Sequence, residues 1–299
     1  MRARDMALAV LVSVIWGFSY VTYRFGLESF SAAQLSAARF LLACVAIAFV
    51  PRPKVSWAVM LVIGLVMFAG QFLLLMLAYT LDMPAGLGSV TQQTQAVFTI
   101  AFAAIFMREF PTLRQGIGMA VAMAGLVLIG FTIGGDLKPA ALALALAAAT
   151  SWAIGNIVVK SVRHAPAFAL MAWCSPIAVV PLLAYSWAFD PQPSFLQALA
   201  HASWLSLAVV AYLAIASTLV GYAMWGHLLQ RHPASVVAPF ALLSPATGIL
   251  ASALILGEQF SPLRVAGMAL IMLGLAIIVM PVPSLVARMK ARSAAMRDR

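Results

Sequence analysis

Charge is what this chain has least of. Charged residues make up 9% of its 299 positions, and only eight of them are acidic. All eight (Asp5, Glu28, Asp82, Glu109, Asp136, Asp190, Glu258 and Asp298) stand at the ends or corners of apolar runs. The four histidines and two cysteines show no His-x-x-Glu-His or Cys-x-x-Cys spacing. Chemistry on a bound substrate needs a nucleophile with its base, a carboxylate cluster or a set of metal ligands. Without them an intramembrane lipid-modifying enzyme or protease is disfavoured, and no metal or cofactor is expected. Gly116-x-Gly118 lacks the strand that a nucleotide-binding loop would follow. Cys44 and Cys174 lie within apolar runs and read as small buried residues.

What is abundant is hydrocarbon. Apolar residues make up 64% of the chain, in recurring runs of roughly 20, each long enough to cross a bilayer. Little sequence remains for a soluble domain. The net charge of +10 would suit a nucleic-acid partner, but the cations sit in short corners and at the tail, which is a topology signal. No nucleic acid is expected. The first apolar run, about Met6 to Tyr23, is long and aromatic and lacks a small-residue cleavage site, so it reads as a retained helix.

One stretch occurs twice. Pro84 to Gly125 reads as an apolar helix, a charged corner and a second apolar helix, and Pro233 to Gly274 repeats it at an offset of 149. Pro84-Ala85 falls on Pro233-Ala234, Glu109 on Glu258, Gly118-Met119 on Gly267-Met268, and Gly125-Leu126 on Gly274-Leu275. So many matches in one register mark internal duplication. The expected fold is all-α and integral to the membrane, with ten transmembrane helices as two inverted five-helix repeats around a central cavity. The repeats span 1–133 and 134–280, and a basic cytoplasmic tail follows at 281–299.

Ten spans put alternate corners on opposite sides. Fourteen Lys and Arg then collect on one side, three on the other, and Arg39 lies within the second span. The positive side is cytoplasmic, so both termini are inside and the Asp190–Ser203 loop is outside. Five spans per half is odd, so the second copy sits upside down, an architecture whose substrate site lies near mid-membrane between the halves.

Polar and aromatic side chains on several spans converge on that site. Trp16 and Tyr20 share a face of the first span, and Tyr79 shares one with Gln71 and Leu75 on the third. The fourth is the most polar, with Gln92 and Gln95 on a stripe that hydrocarbon will not satisfy. Trp152 and Asn156 on the sixth span, Tyr222 and Trp225 on the eighth and Ser244 on the ninth complete the expected lining. The competing role for such groups is hydrogen bonding between packed helices. Arg39 carries an insertion cost of roughly 2.5–3.5 kcal/mol, so it is either a gating residue or tied to a backbone carbonyl or Glu28. Pro239 and Pro245 are expected to bend the ninth span as hinges. His227 reads as a packing histidine.

The pairs Trp16-Gly17, Arg39-Phe40 and Pro84-Ala85, with Glu109, Gly118 and Gly125 and their second copies, resemble the EamA-type, ten-helix branch of the drug/metabolite transporter superfamily. Within that branch the chain is similar to bacterial exporters of amino acids, including the aromatic amino-acid type. The resemblance implies an exporter in the bacterial inner membrane. A wall of aromatics, amides and hydroxyls with one cation suits a small zwitterion such as an amino acid better than a dianion. Other small drugs or metabolites remain the alternative cargo. The expected partners are that solute and the lipid bilayer, and the working unit is expected to be a monomer.

Overall fold

The computed structural model describes residues 1–81, 83, 88, 91–131, 138–190, 193–257 and 261–279, and among these every regular element is helical. In chain order they are α1 (Ala3–Gly26), α2 (Ala32–Phe49), α3 (Trp57–Tyr79), α4 (Thr94–Met107) and α5 (Leu113–Gly130). Then come α6 (Pro139–Ser161), α7 (Ala167–Phe189), α8 (Trp204–Arg231), α9 (234–256) and α10 (Pro262–Val279). Six of them, α1, α2, α3, α6, α7 and α8, are long and apolar enough to cross a membrane. Large apolar side chains cover the outside: Phe106, Val180 and Trp204 are all strongly exposed, as a hydrocarbon solvent requires.

Local chemistry sets the helix ends. Ser31 and Gln34 close a capping box at the start of α2, and the Ser56 and Ser203 hydroxyls accept backbone N–H bonds at the starts of α3 and α8. A second capping box, Ser194 with Gln197, nucleates a short helix over Phe195–His201. The segment Asp190–Ser203, expected as a loop, is therefore partly helical.

The repeat extends to helix boundaries. α4 and the segment Leu243–Leu256 are each 14 residues long, and α5 and α10 are each 18, with both pairs offset by 149 at either end. Arg108 ends α4 in the left-handed region at φ 56°, and the residue 149 further on, Gly257, ends α9 at φ 67°. The second copy thus uses the residue type that adopts this conformation without strain. α3 and α8 each loosen into a π-helix midway, over Ile63–Gly70 and Leu213–Tyr222.

α9, which carries Pro239 and Pro245, is irregular near them. α9 starts as a short α-turn, tightens to a 3₁₀ segment over Ala238–Leu242, and restarts as an α-helix at Leu243. Pro245 sits in the first turn of that restarted helix, where its missing N–H costs nothing. The Pro239 side chain lies outside the described residues. α7 runs as one helix through Pro176 and Pro181.

Packing brings the halves together. α5 and α10 lie antiparallel at close range: a Cβ on Gly118 would stand 2.7 Å from the Gly274 carbonyl oxygen, and one on Gly125 would stand 2.6 Å from that of Gly267. α1 packs on α9, with Gly17 against Ser244 and Thr247, and α4 packs on α6. α2 lies on α7, while α3 touches α6 and α7 as α8 touches α1 and α2.

Candidate substrate cavity

The packed helices leave a central cavity of about 60 Å³, enough for a few water molecules. Seven of the expected residues line it: Trp16, Tyr20, Gln92, Gln95, Trp152, Tyr222 and Ser244. Arg39 lines it as well, along with Ser19, Tyr23, Gln71, Phe72 and Ser217. The π segment of α8, through Ser217 and Tyr222, and the restart of α9, through Ser244, thus reach the cavity wall, an association of irregular helix with function that recurs widely.

The aromatic side chains form a box. The Trp16 ring stands 5.3 Å from Trp152, 5.5 Å from Tyr222 and 5.2 Å from Trp225, centroid to centroid, and Trp152 is 5.2 Å from Tyr222. Most of these pairs meet edge to face, the arrangement that ring quadrupoles favour. The Trp16 indole N–H donates to the Ser217 carbonyl at 3.0 Å, using an oxygen within the π segment of α8.

Three expected lining residues lie elsewhere. Asn156 is consumed by structure: its amide N–H donates to Thr99 Oγ1 at 3.0 Å, and its carbonyl accepts from Trp225 Nε1 at 3.0 Å. Asn156 and Trp225 thus form a buried strut behind the box. Tyr79 packs against Gly88 rather than the cavity. Spacing placed these three on the right helical faces, but a face is broader than a cavity wall.

Other groups on the wall find no hydrogen-bond partner within the protein. Gln71 Oε1, both polar atoms of the Gln92 amide, Gln95 Oε1, Trp152 Nε1 and Ser244 Oγ are buried with no hydrogen-bond partner. Native interiors contain few such atoms, and here five side chains concentrate them around one space. Helix-to-helix glue would show the opposite, with each amide paired across an interface.

Arg39 is 1% exposed. Its Nε and one terminal nitrogen both donate to Thr218 Oγ1, at 2.9 and 2.7 Å. The terminal nitrogens also donate to Ser217 Oγ at 3.2 Å and to Tyr23 Oη at 2.6 Å. The guanidinium lies 4.5 Å from the Phe72 ring centroid and 5.8 Å from that of Tyr222, within cation–π range. Neither a backbone carbonyl nor Glu28 holds it.

One end of the bundle carries a network that sequence reasoning missed. Lys160, 1% exposed, donates to the His232 carbonyl at 2.8 Å and pairs with Glu109 at 3.2 Å. Glu109 also faces Arg163 at 3.6 Å and accepts from the Ala234 N–H at 3.4 Å. Asp5 pairs with His232 at 2.9 Å. At the other end, Ser31 donates to Asp190, and Gln34 donates to the Pro193 carbonyl at 3.0 Å. Only the eight-residue step from Trp152 to Lys160, two helical turns along one face, hinted that this lysine points inward.

The EamA-like transporter family matches this chain twice, over residues 4–131 and 139–280. The chain belongs to that family: it is a membrane transporter, not an enzyme. Similar curated proteins include the "probable amino-acid metabolite efflux pump" of Salmonella typhimurium, 39% identical with 92% of this chain and 94% of the relative covered. The Escherichia coli protein of the same description is 38% identical over the same shares. A "probable terminal-alkyne amino-acid exporter" of Streptantibioticus cattleyicolor is 26% identical, covering 90% of this chain and 91% of its own. A solved crystal structure shares the fold with a TM-score of 0.70 at 16% identity, covering 97% of this chain and 99% of that one.

Proposed function

We propose that this transporter exports amino acids or similar small zwitterionic metabolites by alternating access across a bacterial inner membrane. The observation that carries the reading is the set of buried, unpartnered amide, indole and hydroxyl groups around one central cavity. Such groups are costly in a resting core and are satisfied by a polar solute. The efflux-pump descriptions of relatives near 40% identity support the same class of cargo.

The mechanism rests on ten spans in two inverted halves. Supporting this, a contact between Gly118 and Gly274 maps under the 149 offset onto one between Gly267 and Gly125, and both occur. That reciprocity is the mark of a two-fold interface. Between antiparallel partners it is the pattern that two copies arranged head to tail would give. The restart of α9 on the cavity wall fits the broken helices of such transporters. Rocking of the halves about this centre would open the cavity to each side in turn, with the α9 break at Pro239–Pro245 as hinge. Both termini are cytoplasmic in this reading, and the monomer is the working unit.

The test is counterflow in liposomes holding the purified chain, with a panel of labelled amino acids. Saturable exchange of one or more of them is the expected result. Exchange confined to solutes that are not amino acids would replace the cargo, and no exchange of any solute would end the carrier reading. Reporter fusions that place either terminus outside would end the ten-span arrangement.

A further inference from the structure

We propose that Arg39 is the carboxylate anchor of the central cavity, so that the site takes solutes bearing one free carboxylate and rejects net cations. This rests on the transport reading above and narrows it. The argument begins with unbalanced charge. Among the described residues every partner of the buried guanidinium is neutral: the hydroxyls of Tyr23, Ser217 and Thr218 and the ring faces of Phe40, Phe72 and Tyr222. The described acids are placed elsewhere. Asp5 pairs with His232, Glu109 with Lys160, and Asp190 accepts from Ser31, while Glu28 is exposed beyond the end of α1. Hydroxyls and rings hold the guanidinium in place, but none carries the charge that would neutralise it. A buried cation without an anion is strongly disfavoured.

The second observation is independent of charge. Two hydrogen-bond donors without partners, Trp152 Nε1 and Gln92 Nε2, line the same cavity as Arg39. A carboxylate offers about four acceptor sites, enough for the guanidinium and both of these donors. The carbonyl oxygens of Gln71, Gln92 and Gln95 are likewise unpartnered and suit the three N–H groups of an ammonium. No described carboxylate lines the wall, so an ammonium meets only dipoles, whereas a carboxylate meets a full charge. Losing the carboxylate therefore costs a solute more than losing the ammonium.

The experiment uses the full chain, purified, and follows tryptophan emission, since Trp16 and Trp152 line the cavity. Alanine, leucine and phenylalanine are each titrated beside the corresponding deaminated acid and carboxamide. Amino acids and deaminated acids are expected to bind, and carboxamides to bind at least about tenfold more weakly. Arg39→Gln should lose roughly ten- to hundredfold in binding of the carboxylates, as loss of a charge-assisted bond implies, and Arg39→Lys should restore part of it. If Arg39→Gln does not fold, Thr218→Asp supplies Arg39 with its own carboxylate and should fold yet lose carboxylate binding. Carboxamides binding as well as the amino acids would overturn the anchor and leave the amino-acid reading standing. Deaminated acids binding where amino acids do not would keep the anchor and overturn that reading. No response to any carboxylate would overturn the anchor.

Discussion

Two amides on neighbouring helices show how burial alone misleads and partnership decides. Gln95 and Asn156 are both buried, and both read from sequence as cavity residues. Asn156 has both ends bonded, to Thr99 and Trp225, whereas Gln95 Oε1 has no partner. Their replacements should therefore fail in opposite ways. Gln95→Leu removes an unpaired acceptor, so the fold should hold while substrate binding weakens roughly three- to tenfold, the worth of one neutral hydrogen bond. Asn156→Leu strands the Trp225 indole N–H and takes a donor from the Thr99 hydroxyl. It should cost about 1–3 kcal/mol of stability per stranded group, read as earlier thermal unfolding in detergent. Normal binding in a folded Gln95→Leu protein would return the polar stripe to a packing role. The distinction was not legible in sequence, because helical periodicity gives a face but not which of its amides finds a mate across a helix interface. The aromatic members were legible only in part: Trp16, Tyr20, Trp152 and Tyr222 line the cavity, whereas Tyr79 and Trp225, expected from the same periodicity, do not.

Helices in this molecule are positioned by glycine and released by breaks. Gly118 and Gly125 are two turns apart and meet Gly274 and Gly267 with no room for a Cβ, while Gly116 on the same helix has nothing within 4 Å. Gly125→Leu should separate α5 from α10 and prevent stable folding. Gly116→Ala should be neutral or stabilising by about 0.5–1 kcal/mol, the ordinary helix preference for alanine. Thermal unfolding of the two variants side by side checks both. The seven-residue glycine step, repeated at a fixed offset, is visible in the sequence, but which helix it meets is not. The α9 break was readable only in part: its prolines announced an irregularity, but the restart at Leu243 depends on α9 sharing the α4 boundary. The π segments of α3 and α8 were not read from the sequence. If the α9 break is the hinge, Pro245→Ala should alter the maximal transport rate and leave substrate affinity nearly unchanged. A variant with normal turnover and changed affinity would instead make Pro245 part of the binding wall.

For the whole molecule the open question is what drives transport, and the placement of the described titratable groups supports one expectation. A proton-coupled carrier needs a group whose charge changes as the cavity switches sides. Among the described residues, the cavity wall carries Arg39 and no carboxylate or histidine. The titratable pairs sit at one end instead. His227 and the Asp5–His232 pair share a basic, open pocket with Arg2, Arg4 and Arg231, and Glu109 is held by Lys160. These contacts tie α1, α4 and α6 to the turn between α8 and α9, so they bear on how firmly that end closes rather than on cargo. A change of protonation there would alter the rate of opening in both directions of transport equally. The expected behaviour is therefore a carrier that lets accumulated solute flow out down its own gradient, with pH changing speed but not equilibrium. The measurement is liposomes with equal substrate on both sides and an imposed pH step. Exchange rates should vary with pH while no net accumulation follows the step. Sustained uphill accumulation would show coupling, and its loss in His227→Ala or His232→Ala would place the proton site in the end network rather than in the cavity.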